Sequence, residues 1–450
     1  MKNLIVRMSL AALAAFLVVG AGHAQRTETR PVEGIIFDLE HPSKERRKEA
    51  ALLCGQNRLR QCVPKLIEAT ADPEDEVRLE AVRALVRIND TRALQAYIRL
   101  LQDSRKPVQE KAIEGIINIY VVEEGGFVRG LKRVVDFVNP FSDDYNPLVV
   151  EPYMPVSRDA TTALADLLFA DDRDIRREAA TALGILRARE SLPAIQEALS
   201  RETSNSVKVE LIRAIYKIGD SAAGSTIVPF IRDADKKVHD EAIFAVGRLQ
   251  VREAVPQLNE MYQAGLEERR RILGIVPVSG TDDLQRKVLE ALAHLGDPRS
   301  KEIFLDALSD SRDFYRRYGA EGLGRSRANE HIGLVATKYL RESSSSVKLA
   351  MGFSLFRLGR EEHLVELIDA VAGSEQALFY LLELEPEEVR LLYPHLHVER
   401  DATKIQLLEV IGMRGASEAI SIVQELTGAR NADVASAANL ALRRLHARHP

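Results

Sequence analysis

The sequence contains no tryptophan, and aromatic residues make up only 5% of its 450 residues. Large aromatic side chains dominate the packing of many cores, so this shortage disfavours a sandwich or barrel built on them. A strong charge of either sign is also missing, because 62 basic and 67 acidic residues give a net charge of −5. The basic surface typical of nucleic-acid-binding proteins is therefore absent, and we predict no nucleic-acid partner.

Motifs that carry catalysis or hold cofactors are missing as well. The sequence has no HExxH, paired CxxC, GxSxG or P-loop pattern. Two Glu-His pairs, Glu330-His331 and Glu362-His363, occupy similar places in the pattern of the chain, and we interpret them as structural or solvated. The sequence thus predicts no catalytic residue, no cofactor and no metal site.

The first residues resemble a secretory leader. Lys2 and Arg7 precede an apolar run over 8–22, and small residues stand at the −3 and −1 positions of a cleavage site after Ala24. The run is short for a membrane-spanning helix, which needs ~20 apolar residues. We predict a signal peptide over 1–24 and an exported protein, periplasmic or secreted, with an uncleaved anchor as the alternative. Residues 25–42 form an N-terminal lead-in.

Residues 43–450 are dominated by a repeat. A position that is usually aliphatic, followed by a basic residue, recurs along the chain, and seven of its ten spacings are 31 or 32 residues. We call these the marker positions. They are Arg46, Val77, Val108, Ile175, Val207, Val238, Leu284, Tyr315, Val347, Thr403 and Val434. Repeats of this length are typical of solenoid proteins.

Each marker position opens the apolar stripe of an amphipathic helix. An apolar residue stands eight positions after every marker, and alanine often stands four after it, which fits a helical period. A break such as Gly219-Asp220 or Gly296-Asp297 follows. A second helix then begins near Pro64, Pro193 or Pro256, since proline is tolerated in a first turn. Such a hairpin cannot bury its apolar face alone, so the hairpins must stack.

The segment 172–201, DRDIRREAATALGILRARESLPAIQEALSR, resembles the short HEAT-like repeat of phycobiliprotein lyases and many bacterial scaffold proteins. This resemblance implies an all-α fold, an α-solenoid of about 11–12 stacked helical hairpins in an armadillo-like superhelix. It also implies a protein-binding scaffold. A lyase-like or cofactor-handling enzyme is the alternative that the same resemblance suggests.

Two inserts interrupt the repeat, near 123–156 and near 265–281. The first contains an amphipathic stretch over 127–138, which either packs back on the solenoid edge or contacts a partner or a membrane surface. Its aromatic residues are candidates for a partner surface: Phe127, Phe137, Phe141, Tyr145 and Tyr153. Residues 374–400 are interpreted as a degenerate repeat.

Cys54 and Cys62 are the only cysteines. Two cysteines eight residues apart can pair in an oxidising compartment. A disulfide there would join the two helices of the first hairpin, and two buried thiols are the alternative.

An acidic row recurs on the second helices. Its members are Glu68, Glu197, Glu260, Asp306, Asp369 and Glu425. We expect this row on the concave face, where it would attract a basic partner, unless the carboxylates only solvate exposed helix positions. The basic residues that follow the markers are expected to form ion pairs between repeats. The sequence as a whole predicts a non-catalytic scaffold of the cell envelope that binds a protein or peptide partner.

Overall fold

The computed structural model describes residues 31–121, 149–151, 153–272 and 279–449, without the side chains of 268–281. All regular secondary structure in these ranges is helical. The predicted signal peptide and four of the predicted surface residues, Phe127, Phe137, Phe141 and Tyr145, lie outside the described residues.

The chain divides into two compact units, the first ending at Asp90 and the second beginning at Thr91. The first unit has four α-helices among its described residues. They are α1 (Val32–Asp38), α2 (Lys44–Gln56), α3 (Val63–Ala69) and α4 (Asp75–Ile88).

The second unit continues the same alternation of longer and shorter helices. Its α-helices in the described ranges are α5 (Leu94–Leu100), α6 (Lys106–Tyr120), α7 (Arg158–Asp166), α8 (Arg173–Ile185), α9 (Leu192–Arg201), α10 (Asn205–Ile218), α11 (Lys236–Arg248), α12 (Val255–Ile272), α13 (Ser279–Leu295), α14 (Lys301–Leu308), α15 (Asp313–Arg325), α16 (Ile332–Tyr339), α17 (Ser345–Arg357), α18 (Leu364–Ala370), α19 (Glu375–Leu382), α20 (Pro386–Val389), α21 (His395–Val398), α22 (Asp401–Arg414), α23 (Ala419–Glu425) and α24 (Ala432–Arg448). A 3₁₀ segment over Ser221–Arg232 replaces one short helix.

The marker positions fall in the first part of the longer helices, which we call marker helices, and the shorter helices that follow are the second helices. The apolar residue eight positions after each marker is buried in every marker helix except at Leu442. Proline stands in the first turn of α3, α9 and α12, as the sequence predicts. The predicted all-α solenoid of stacked hairpins is confirmed.

Most marker helices end at a residue in the left-handed region, twelve positions after the marker. Gly219 and Gly296, the predicted terminators, have φ values of 78° and 53°. Non-glycine residues such as Arg187, with φ 52°, take the same conformation elsewhere. The Arg187 Nε donates a hydrogen bond of 3.1 Å to the carbonyl of Lys217 at the end of the next marker helix. This side chain therefore satisfies a terminal carbonyl of its neighbour, which offsets the cost of a strained backbone.

Successive marker helices approach each other closely in pairs. A Cβ placed on Gly184 of α8 would lie 2.9 Å from the Cα of Ala214 in α10, so only glycine fits there. Gly184 stands nine positions after its marker. The same position is glycine in four further contacts: Gly55 with Ala84 in the first unit, and Gly247 with Ala291, Gly324 with Ser354 and Gly412 with Ala441 in the second.

Four of the basic residues after the markers form the expected ion pairs between repeats. Arg176 holds both carboxylate oxygens of Glu202, at 2.8 and 3.1 Å, and also donates to the carbonyls of Ala170 and Asp171. Arg316 holds Glu342 in the same way. Two further ion pairs join residues at nearly the same separation in sequence, Arg47 with Asp72 and Lys208 with Asp233. Each pair ties one marker helix to the turn 25 or 26 residues later.

The two irregular regions differ in how the chain accommodates them. Near 265–281, α12 extends to Ile272 and α13 begins at Ser279. Over 374–400, the marker helix shrinks to the eight residues of α19, and two four-residue helices follow.

Cys54 and Cys62 form a disulfide in the structure, with their Cα atoms 6.1 Å apart. Cys54 lies in α2 and Cys62 immediately precedes α3, so the bond joins the two helices of the first hairpin. Both side chains are fully buried.

Candidate functional site

A groove with a volume of about 710 Å³ opens in the second unit. Its lining residues all come from or immediately precede four marker helices, α6, α8, α10 and α11. The marker helices, and not the second helices, therefore form the wall of this groove.

The groove lies where the close packing of marker helices is interrupted. Gly184 of α8 stands nine residues after its marker. The equivalent residue in α6, nine residues after the marker Val108, is Ile117. A bulky side chain there keeps α6 from approaching α8 as closely as α8 approaches α10. Ile117 itself lines the groove. The α6–α8 step thus lacks the helix-to-helix glycine contact that Gly184 makes at the α8–α10 step.

The groove combines an apolar floor with charged walls. Ile113, Ile117 and Val209 supply the apolar surface. The walls carry more carboxylates than cations. The carboxylates are Glu110, Glu114, Glu178, Glu210 and Asp235, and the cations are Lys111, Arg177, Arg213 and Lys237.

Arg213 anchors the α10 side of the groove. Its guanidinium is buried, and it donates to Glu241 at 2.9 Å and to Glu210 at 2.8 Å. Glu210 also accepts a 3.0 Å hydrogen bond from the hydroxyl of Thr181 in α8. Burial lowers the pKa of the neighbouring Lys217 to about 8. The charges on this side are therefore engaged within the fold.

The α6–α8 side is different. Glu178 is half-buried, and burial together with the charge of Glu110 raises the pKa of its carboxyl group. Arg177, which also lines the groove, acts in the opposite direction and lowers this pKa, but less than burial and Glu110 raise it. This part of the groove is a desolvated, acidic position.

Further along the second unit, the corresponding face of the marker helices is filled by the protein itself. Glu321 of α15 is 1% exposed and accepts hydrogen bonds from Arg317 at 2.8 Å and Arg325 at 2.9 Å. The Tyr380 hydroxyl of α19 donates to the same carboxylate at 2.6 Å. Arg325 also binds both oxygens of Glu383, at 2.8 and 2.7 Å. We call these five residues the buried network.

Side chains around the buried network complete this interior. Tyr380 stacks on Phe353 of α17 with 4.2 Å between ring centroids. Arg248 of α11 lies 5.6 Å from the ring of Phe379, although 131 residues separate them. Burial raises the pKa of Glu290 in α13 to about 7. The shortened helix α19 therefore packs against several earlier marker helices.

One further contact joins distant parts of the second unit. Glu151 accepts hydrogen bonds of 2.9 and 2.6 Å from Arg444 of α24, which is 293 residues away. Tyr153, the one predicted aromatic surface residue that the structure describes, lies 5.6 Å below the guanidinium of Arg443. The backbone N–H of Val150 donates to the carbonyl of Ile185 in α8. This short segment thus connects α8 to the last marker helix.

The predicted acidic row does not line the groove. All six of its residues are exposed and lie on second helices or, for Glu425, at the end of one. Glu68, Glu197 and Glu260 pair with Lys65, Arg201 and Arg232 at 2.6–2.8 Å. Local cations therefore offset much of the charge along the row.

Among the residues that the structure describes, no three His, Cys, Asp or Glu side chains are grouped as a metal site would need. His331 lies 3.7 Å from Glu330, and His363 lies 3.2 Å from Glu366. In the same ranges, no helix combines the length and apolar character needed to cross a bilayer.

The groove and the buried network share a sequence signal that the search for second-helix rows missed. Both use positions three, six or ten residues after the marker, on one side of the apolar stripe. Charged residues recur there: Glu178, Glu210, Arg213, Lys217, Glu241, Arg248, Glu290, Glu321, Arg325, Glu409 and Arg444. A charge beside an apolar stripe indicates either a binding face or a buried network.

Comparison with known protein families agrees with these hairpins. A family model of HEAT repeats matches residues 34–117. The model of the PBS lyase HEAT-like repeat matches residues 175–201, which include the marker helix α8 and the second helix α9. The chain therefore contains HEAT repeats in these two segments.

A curated relative and two solved structures are also similar to this chain. The bilin biosynthesis protein PecE of Mastigocladus laminosus is 33% identical over 84 residues, which are 19% of this chain and 31% of PecE. The chain thus matches less than a third of that relative's length.

Both solved structures align over 92% of this chain and 98% of their own. The first is an engineered protein, with a TM-score of 0.44 at 17% identity. The second comes from work on a phosphorylation switch that controls the interaction between cadherin and beta-catenin, with a TM-score of 0.33 at 14% identity. Scores below 0.5 do not define a common fold.

Proposed function

We propose that this protein is a non-catalytic scaffold of the cell envelope that binds a protein or peptide partner in the groove formed by α6, α8, α10 and α11. The observation that carries the proposal is the groove itself, in which Ile117 is partly exposed between charged walls. Concave sites of this kind commonly combine apolar surface with a few placed polar groups.

The dimensions of the groove favour an extended segment. Packed helices are separated by about 8–10 Å, so four successive marker helices span roughly 24–30 Å. An extended chain advances about 3.3 Å per residue, and eight or nine residues would therefore cross the groove.

Binding of such segments can be measured with a displayed library of random nonapeptides selected on the full chain without residues 1–24. We expect the selected peptides to slow amide exchange in α6, α8 and α10. Ser206 is exposed and lines the groove, so Ser206→Trp should block it and reduce peptide binding at least tenfold.

Ser200→Trp is the matched control, because Ser200 is equally exposed but belongs to the second helix α9. This variant should bind the selected peptides normally. Protection confined to second helices, where the acidic row lies, would place the binding surface there and contradict the groove proposal.

The envelope location is supported by the basic start, apolar run and small residues that precede Gln25. Export with cleavage after Ala24 predicts a mature chain that begins at Gln25. Mass spectrometry of the N-terminal peptide from the native host measures this directly. A chain recovered in the cytoplasm with residues 1–24 intact would contradict export.

A second candidate function is supported by the partial similarity to a bilin biosynthesis protein. In that case the protein would handle a linear tetrapyrrole. Adding biliverdin to the purified protein should then shift the pigment's absorption spectrum at a one-to-one ratio. If the pigment spectrum stays unchanged while peptides bind in the groove, the result would favour the scaffold function over tetrapyrrole handling.

A further inference from the structure

The charges around the groove are not balanced evenly. Within the described ranges, the Glu178 carboxylate has no cation within ion-pair distance, whereas Arg213 holds Glu210 and Lys111 holds Glu114. Glu178 is also half-buried, and the negative charge of Glu110 acts on its carboxyl group. On the α6–α8 side, Glu178 therefore has no cation at ion-pair distance, and Glu110 has only a long contact of 3.9 Å with Lys106.

The nearest cations on this side are drawn towards other carboxylates. Lys106 lies 2.6 Å from Asp174 and 3.0 Å from Asp172, but 3.9 Å from Glu110. Arg177 lies 3.9 Å from Asp174. Because Asp172 and Asp174 stand at the start of α8, they hold these cations at the rim, away from Glu178.

We propose that the segment bound in the groove carries a lysine or arginine whose charged group contacts Glu178 and Glu110, with an apolar side chain beside it on Ile117. This inference rests on the proposed function, and it names the chemistry of the partner. A cation would relieve the repulsion between two carboxylates in a partly desolvated site, where charge pairs are screened less than at an open surface.

The arrangement also explains why one basic residue is favoured over a basic run. On the α10 side, Arg213 already neutralises Glu210 and Glu241, so a second cation there would meet a guanidinium. A suitable partner therefore places a single positive charge near α6 and α8 and uncharged residues towards α10.

Three nonapeptide pools test the proposal by fluorescence anisotropy on the full chain without residues 1–24. Their flanking positions are randomised among Val, Ala, Ser and Gly, and the central residue is lysine, norleucine or glutamate. We expect the lysine pool to bind about tenfold more tightly than the norleucine pool, and the glutamate pool to bind most weakly. Raising the salt concentration should reduce the lysine preference.

Glu178→Gln should lower the preference for lysine over norleucine to about twofold or less. Glu197→Gln, an exposed acidic-row residue of α9, is the matched control and should preserve the preference. Amide exchange must show protection of α6 and α8 by the bound pools.

The outcomes separate the two proposals. Equal binding of all three pools, with protection of α6 and α8, overturns the basic anchor and leaves the groove as the peptide site. A lysine preference that survives Glu178→Gln also overturns the anchor. Failure of every pool to protect α6, α8 or α10 overturns the anchor and the proposed function together.

Discussion

The groove and the buried network are built on the same helical register but differ in what faces the marker helices. At α6–α11, the marker helices border a groove, and Glu178, which lines it, is only half-buried. At α13–α19, the short helix α19 brings Tyr380 and Glu383 onto α15, and the corresponding charges are buried and bonded. The same offsets from the marker therefore serve a surface in one region and the interior in the other.

The largest difference between the regions should appear on removing a carboxylate. Glu321→Ala leaves Arg317 and Arg325 in the interior without their shared partner, so we expect a loss of about 3–5 kcal/mol in the free energy of unfolding. Urea denaturation measures it. Glu178→Gln in the groove should leave stability unchanged or slightly higher, and equal losses in both variants would contradict the comparison.

The first unit differs from both regions in having a covalent bond, the Cys54–Cys62 disulfide, between the two helices of its first hairpin. Reducing the bond should destabilise this unit by roughly 2–3 kcal/mol through the added entropy of its unfolded chain. Denaturation with and without dithiothreitol measures the loss, while peptide binding in the groove stays constant. Two free thiols in the unreduced protein under denaturing conditions would show that the bond is absent.

The packing explanation of the groove predicts that glycine is required where marker helices touch. Gly184→Ile would place a side chain against the backbone of Ala214 and cost about 1–3 kcal/mol. Ile117→Val, at the same register position on the groove, should cost less than 1 kcal/mol because Ile117 is only partly buried. Equal costs would show that the two steps are packed alike.

The smallest expected effect concerns Glu290, whose pKa in the folded protein is about 7 because it is buried, against an ordinary value of 4.5. The folded state then holds a proton that the unfolded state has released, so stability falls as pH rises from about 4.5 to 7 and is level above that range.

Glu290→Gln should remove this fall and raise stability by about 1–2 kcal/mol at pH 8. Thermal unfolding at pH 5 and pH 8 measures the slope. An unchanged slope would show that other groups cause the pH dependence.

The repeat, its helices and its terminators could be predicted from the sequence because they depend on local periodicity and on glycine and proline. The wall of the groove could not be assigned, since which layer of helices faces a concavity depends on how closely the layers pack. The sequence shows that the same register position is Gly184 in one helix and Ile117 in another. It does not show that Gly184 lies against Ala214 of the next marker helix, which is what makes glycine necessary there. The acidic row was visible as a pattern, whereas the pairing of Glu68, Glu197 and Glu260 required the folded positions of their cations.

The bond between Glu151 and Arg444 bears on how the second unit folds. In an open solenoid each repeat touches only its neighbours, so the last hairpin can detach first and unfolding can proceed inwards. Here the last marker helix is tied to a segment 293 residues earlier, and the same segment is hydrogen-bonded to the end of α8. We therefore expect the last hairpin to unfold together with the repeats that precede it, and not before them. Because the contact closes a long loop, we also expect it to form late in folding.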